Sequence, residues 1–197
     1  MTSFLIFLAF IAAIVFWAIS IYNRLINERN RVRNGFAQID VQLTRRHDLI
    51  PNLVETVKGY AAHEEEVLTA VTEARAKVNE IKVTPDMASD PAAMQMFQEA
   101  QGQLGSALSR LLVTVERYPD LKANQNFLAL QSQLEGTENR ISVARRDYIE
   151  AVRLYNTELK TIPGRWWKSL MYPESMPRAN FDVAEEVKTT TPKVDFN

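Results

Sequence analysis

Two short stretches of the 197-residue chain carry side chains able to hold a metal ion: His47 and Asp48 in HDLIP, and His63, Glu64 and Glu65 in HEEE. On one continuous helix the sixteen-residue step from His47 to His63 turns them roughly 160° apart and separates them by roughly 24 Å, so without a chain reversal they cannot share an ion. His63-Glu64 does not open the HExxH pattern of a zinc hydrolase either, because position 67 is Val. A second candidate chemistry is acid–base work by Glu135 and Glu138 beside Arg140, Arg145 and Arg146. Glu138 and Arg145, however, are one heptad apart and flank an apolar seam, where such residues form interhelical ion pairs that set register. They are read as a structural polar pair. The serines and threonines lie in no GxSxG or SxxK pattern, and only two histidines are available as bases. No catalytic, cofactor-binding or metal-ligating residue is assigned, and no cofactor is expected.

Composition narrows the classes further. With 23 Lys plus Arg against 24 Asp plus Glu, the net charge of -1 lacks the basic excess that nucleic-acid binding draws on. The absence of Cys removes disulfides, thiolate metal sites and thiol catalysis. Six Gly disfavour phosphate loops and tight hairpins.

The elements that carry these side chains begin with a membrane segment. Residues 4–22, FLIFLAFIAAIVFWAISIY, contain no charge, and nineteen helical residues span roughly 28 Å, close to the ~30 Å hydrocarbon core. A cleaved secretory signal is the competing reading, since Ala18-Ile19-Ser20 resembles a cleavage site. Against it, Met1-Thr2-Ser3 has no basic residue and the apolar run exceeds the ~7–15 residues of a signal core. Arg24, Arg29, Arg31 and Arg33 follow the run with only Glu28 to offset them, so the positive-inside bias puts the N-terminus outside and the body in the cytoplasm. The same arginines are candidates for contact with anionic lipid.

Beyond the span, Leu25, Val32, Phe36, Ile39, Leu43, Ile50, Leu53, Val57 and Tyr60 recur at intervals of three and four, with Arg46 as one polar slot. The phase continues across Pro51, although proline cannot donate to the carbonyl of His47. This predicts a kinked continuous helix over 24–61; a reversal at Asp48 remains open. A second helix is predicted over 63–81 (Val67, Val71, Ala74, Val78, Ile81). A third starts from an Asp90 cap and Pro91 (Met94, Phe97, Leu104, Leu108, Leu111, Val115, Tyr118) and is closed by Pro119. A fourth, over 121–160, carries Leu134, Ile141, Tyr148, Tyr155 and Ile162 at heptad spacing. No window alternates with period two. The fold class is all-α: a single N-terminal transmembrane helix (1–23), an antiparallel four-helix bundle (24–162), and a C-terminal region (163–197) of an aromatic segment and a flexible tail.

Up-and-down order returns the chain to the membrane after Lys160, where GRWWKSLMY begins at Gly164. Arg165, Trp166, Trp167 and Lys168 have the residue types of a headgroup contact. Alternatively the two tryptophans close the open end of the core. The stretch after Tyr172, with three prolines and no periodicity, is expected to be a mobile tail.

Three stretches together resemble the LemA family: IYNRLINERNRVRNGFAQIDVQLTRRHDLIPNLVETVKGYAAHE at 21–64, TEARA at 72–76, and YPDLKANQNFLALQSQLEGTENRISVARRDYIEAV at 118–152. The resemblance implies a bacterial membrane protein with one N-terminal transmembrane helix, a helical bundle and no established enzyme activity. Relatives are often encoded beside membrane proteases of the HtpX type, which implies a partner or accessory role in membrane protein quality control by association alone. One departure is Ile149, where an Asn is expected after the Tyr in many relatives. The expected partners are membrane lipid and either a second copy or another membrane protein, at the bacterial inner membrane, with no nucleic acid. The favoured function is a non-enzymatic scaffold; a ligand-sensing bundle and a hydrolase are the rivals.

Overall fold

The computed structural model describes residues 1–84 and 87–181. Its elements are α1 (Thr2–Lys58), α2 (Glu65–Glu80), a 3₁₀ turn (Met87–Ser89), α3 (Pro91–Val115), α4 (Pro119–Lys122), α5 (Gln125–Lys160) and α6 (Gly164–Met171), with no strand among the described residues. The apolar run and the first bundle helix are one uninterrupted α-helix of 57 residues.

Pro51 lies inside α1, and there is no reversal at Asp48. Proline leaves the carbonyl four residues earlier without its helical donor. That carbonyl belongs to His47, and the Nε of Arg75 on α2 donates to it at 3.3 Å. Arg75, within the TEARA stretch, thus supplies from a neighbouring helix the bond that Pro51 removes. Arg75→Met is expected to destabilise by about 1 kcal/mol, since it leaves a half-buried acceptor unmade. In a Pro51→Ala background, where the restored main-chain N–H donates instead, the same change should cost much less. Additive effects in this double-mutant cycle, read by denaturant unfolding, would show that Arg75 does not serve the proline site.

α3 starts as expected, with Oδ1 of Asp90 accepting from the N–H of Ala92 (3.0 Å) and Ala93 (3.1 Å) and Pro91 at the first turn. It ends at Val115, ahead of Pro119, which instead opens the single turn α4. α5 begins at Gln125 rather than Leu121, because Oδ1 of Asn124 accepts from Asn126 (2.9 Å) and Phe127 (3.1 Å) and caps it there.

α1 and α5 run antiparallel along their shared length: Arg24 meets Glu158, Phe36 meets Tyr148 and Arg46 meets Glu138. Gly35 permits the close approach, since a Cβ there would lie 3.3 Å from the Tyr148 Cα. The buried side chains divide into two cores. The distal one joins Ile50, Leu53 and Val57 of α1 to Val71, Leu104, Leu111, Leu121 and Phe127. The membrane-proximal one joins Phe36, Ile39 and Leu43 to Met94, Phe97, Tyr148 and Tyr155, with Ile149 packed against it. Each fully buried Leu, Ile or Phe contributes about 1.5–3 kcal/mol. Two positions placed in the apolar stripes face outward instead: Tyr60, which accepts from the Asn124 amide at 2.9 Å, and Ile162, which lies beyond the end of α5.

Residues 173–181, expected as part of a mobile tail, form a strap across the proximal core. The Asn156 amide donates to Arg178 O (2.9 Å) and Arg178 N–H donates to Asn156 Oδ1 (2.8 Å). Ala179 N–H donates to Ala88 O at 2.7 Å, and the Tyr148 hydroxyl donates to Ala179 O at 2.8 Å. Phe181 is buried against Tyr148, with ring centroids 5.3 Å apart. The strap fills the part of the bundle that α2, at sixteen residues, is too short to cover. Burial pushes the Tyr148 phenol far above its ordinary range, keeping the proton that makes its bond to the strap. The remainder of the expected tail, 182–197, lies outside the described residues.

Candidate functional site

At the proximal end α6 turns back beside the apolar part of α1. The Trp17 and Trp167 rings meet edge-on at 6.4 Å, and Tyr22 and Tyr172 lie 5.9 Å apart. The structure divides the two tryptophans of α6: Trp167 packs against the proximal core, while Trp166 is 63% exposed together with Leu170 and Met171. α6 therefore presents an apolar face beside the apolar run, with Arg165 exposed and Lys168 half-buried on the same short helix.

The juxtamembrane arginines are not equivalent. Arg24 bonds the buried Glu158 at 2.9 Å, clamping α1 to the end of α5, and Arg31 pairs with Glu28 at 3.4 Å. Arg29 and Arg33, four residues apart on α1, are exposed and line a cleft with Arg178 of the strap.

Midway along the bundle, the polar slot in the α1 stripe finds its partners. Arg46 is 3% exposed; its Nη1 donates to Glu138 Oε1 at 2.7 Å and its Nη2 donates to Gln101 Oε1. Gln101 occupies the gap between Phe97 and Leu104 in the α3 stripe. The interruptions of two apolar stripes thus meet inside the core and bond both terminal nitrogens of the buried guanidinium, while its Nε finds no partner among the described residues. Gln101 was missed by sequence reasoning, although matching a polar slot on one helix to a gap on another would have found it. Glu138 does take part in a cross-helix ion pair, but with Arg46. Arg145 instead places its guanidinium 5.2 Å from the Phe181 ring centroid. Burial, then the charge of Arg46, lowers the Arg145 pKa from its ordinary value.

The histidines stand apart. His47 is on α1, where burial and then the Arg75 guanidinium hold its imidazole below the ordinary value, and His63 lies in the turn before α2. Glu64 accepts from the Tyr118 hydroxyl (2.9 Å) and from Arg117 (3.0 Å), fastening the distal end of the bundle. Among the described residues no group of three or more His, Asp or Glu is arranged to hold a metal ion. On the face of the α1/α5 pair, Val41 and Val143 are exposed along a groove of about 530 Å³ also lined by Gln38, Gln42, Arg140 and Asp147. Asp40 beside it has its carboxyl pKa raised by burial.

Comparison with known proteins finds relatives of the chain. The chain is 26% identical over 139 residues to Protein LemA of Metamycoplasma hominis, covering 71% of this chain and 59% of that protein. It is 26% identical over 176 residues to Magnetosome protein MamQ 2 of Paramagnetospirillum magneticum, covering 81% and 64%. With Magnetosome protein MamQ of Magnetospirillum gryphiswaldense it shares 23% identity, covering 72% and 58%. The chain spans about three fifths of the length of these relatives. None of them bears an enzyme's name. The model of the LemA family matches residues 35–196, most of the sequence, and the chain belongs to that family.

Proposed function

We propose that the chain is a single-pass, non-enzymatic interaction protein of the bacterial cytoplasmic membrane, its N-terminus outside and its bundle on the cytoplasmic side. The observation that carries the reading is the exposed apolar sleeve of α1, continuous with the bundle. Twelve large apolar side chains between Phe4 and Ile19 are 42–73% exposed. At about 1.5–3 kcal/mol per fully buried side chain, leaving them in water forgoes on the order of 10 kcal/mol, which a bilayer restores. Among the described residues one helix, α1, is long and apolar enough to cross a membrane.

In this reading Trp166, Leu170 and Met171 dip into the interface beside Trp17, as interfacial helices do to ~5–10 Å, with Trp167 packed on the span and Arg165 and Lys168 extending to the headgroups. Arg24, Arg29, Arg31 and Arg33 set the orientation and draw the bundle to anionic lipid. The work of the bundle is to hold a second copy or another membrane protein beside it. Its narrowest form is an accessory role in quality control beside an HtpX-type protease. Crosslinking the full chain in its native membrane, followed by mass spectrometry, should return repeated crosslinks to itself or to one membrane protein. Recovery of random neighbours alone would end the proposal.

A further inference from the structure

The strap that crosses the proximal core brings a third arginine to two already on α1. Arg29 and Arg33 are four residues apart and so share a helix face, an arrangement that is unfavourable for like charges in isolation. Arg178 joins them across a cleft of about 410 Å³, whose lining also includes Asn30, Val32 and Phe36 and, among the described residues, no carboxylate. None of the three guanidiniums makes an ion pair with a described residue, whereas their neighbours Arg24 and Arg31 do. Arg178 is fixed from behind by the Asn156 bonds to its main chain and by the Tyr155 ring, 6.0 Å from its guanidinium carbon. Among the described residues the fold thus holds a concentrated positive charge that no carboxylate pairs with, one member of it preset. Arginine forks complement phosphate oxygens two at a time, and the Asn30 amide adds a donor.

We propose that this cleft is a binding site for a phosphate-bearing anion, coordinated by Arg29, Arg33 and Arg178. Arg29 follows Tyr22 by seven residues, roughly 10 Å along the helix, while a headgroup layer extends ~5–8 Å beyond the hydrocarbon. Arg29 therefore reaches a lipid phosphate from below, and the cleft is also open to a free phosphoester. The geometry of the cleft belongs to the bundle, so the site does not rest on the orientation of the chain in the membrane.

The test uses the full chain in phosphatidylcholine nanodiscs, titrated with glycerol phosphate by calorimetry. In parallel, native mass spectrometry counts phosphatidylglycerol retained from mixed discs. One saturable site is expected for one or both probes. Arg33→Gln and Arg178→Gln should each weaken it about tenfold or more, as loss of a charged hydrogen bond does. Arg140→Gln, an exposed change on α5, should leave it intact. Arg33 has no bond to the strap, so its variant reads the site even if Arg178→Gln loosens the strap. Retained phosphatidylglycerol without glycerol phosphate binding assigns the headgroup as the source; the reverse assigns a free phosphoester. The proposal is overturned by the absence of both, or by an equal loss with Arg140→Gln. It is also overturned if binding emerges only on deleting residues 182–197, with Asp182, Glu185 and Glu186, which would mean that the chain's own carboxylates fill the cleft.

Discussion

Glu138→Met is expected to lower the melting temperature of the bundle by about 6–12 °C, and Arg46→Met by clearly less. The asymmetry follows from which partner is dry. The Arg46 side chain is 4% exposed and that of Glu138 is 49% exposed. Removing Glu138 leaves a buried guanidinium with only the neutral Gln101 oxygen, and an orphaned buried charge costs about 3 kcal/mol, or ~2–4 °C per kcal/mol in a protein of this size. Removing Arg46 leaves a carboxylate that water already reaches and one unsatisfied amide, a cost of about 1–2 kcal/mol. The double change should be milder than Glu138→Met alone, because it leaves no orphaned guanidinium at position 46. Thermal unfolding followed by circular dichroism in detergent distinguishes the cases. Equal losses for the two single variants would mean that the Arg46 side chain is hydrated in solution.

Gly164→Ala is expected to detach α6 from α1 while leaving the bundle folded. A Cβ at Gly164 would press into the carbonyl oxygen of Glu158 and lie 3.1 Å from its carbon. These are backbone atoms and cannot rotate away. Such overpacking costs about 1–3 kcal/mol, and the least resisted response is to swing an eight-residue helix off the end of α5. With Cys introduced at positions 17 and 167, oxidative crosslinking should fall about tenfold in the Gly164→Ala background, the equivalent of about 1.4 kcal/mol. The helix signal and melting temperature should barely move. Undiminished crosslinking would show that the turn yields elsewhere.

Much of this arrangement was legible in the residues. The three-four spacing from Leu25 to Val57 predicted one buried stripe across Pro51, because a loop has no reason to keep helical phase. Asp90-Pro91 marked the start of α3 from capping chemistry alone. What escaped was set by long-range partners. A polar slot such as Arg46 declares that something must answer it, but Gln101 lies 55 residues away and Glu138 lies 92. Arg145 flanks the seam as an ion-pairing residue would, yet it lies against Phe181, a residue in a stretch without periodicity. The strap as a whole was read as tail because its anchors are main-chain bonds to Asn156, Tyr148 and Ala88, which leave no pattern of side chains. The apolar run, by contrast, stood out locally, and its junction with the bundle needed only the absence of a helix stop between Tyr22 and Leu25.

That junction makes α1 a lever. Its 57 residues extend ~85 Å, of which ~54 Å lie beyond Tyr22. With no hinge between the two parts, a span that tilts by ~20° to match a thinner bilayer swings the far tip sideways by about 18 Å. Bilayer thickness is thereby converted into the reach of the distal helices over the membrane surface.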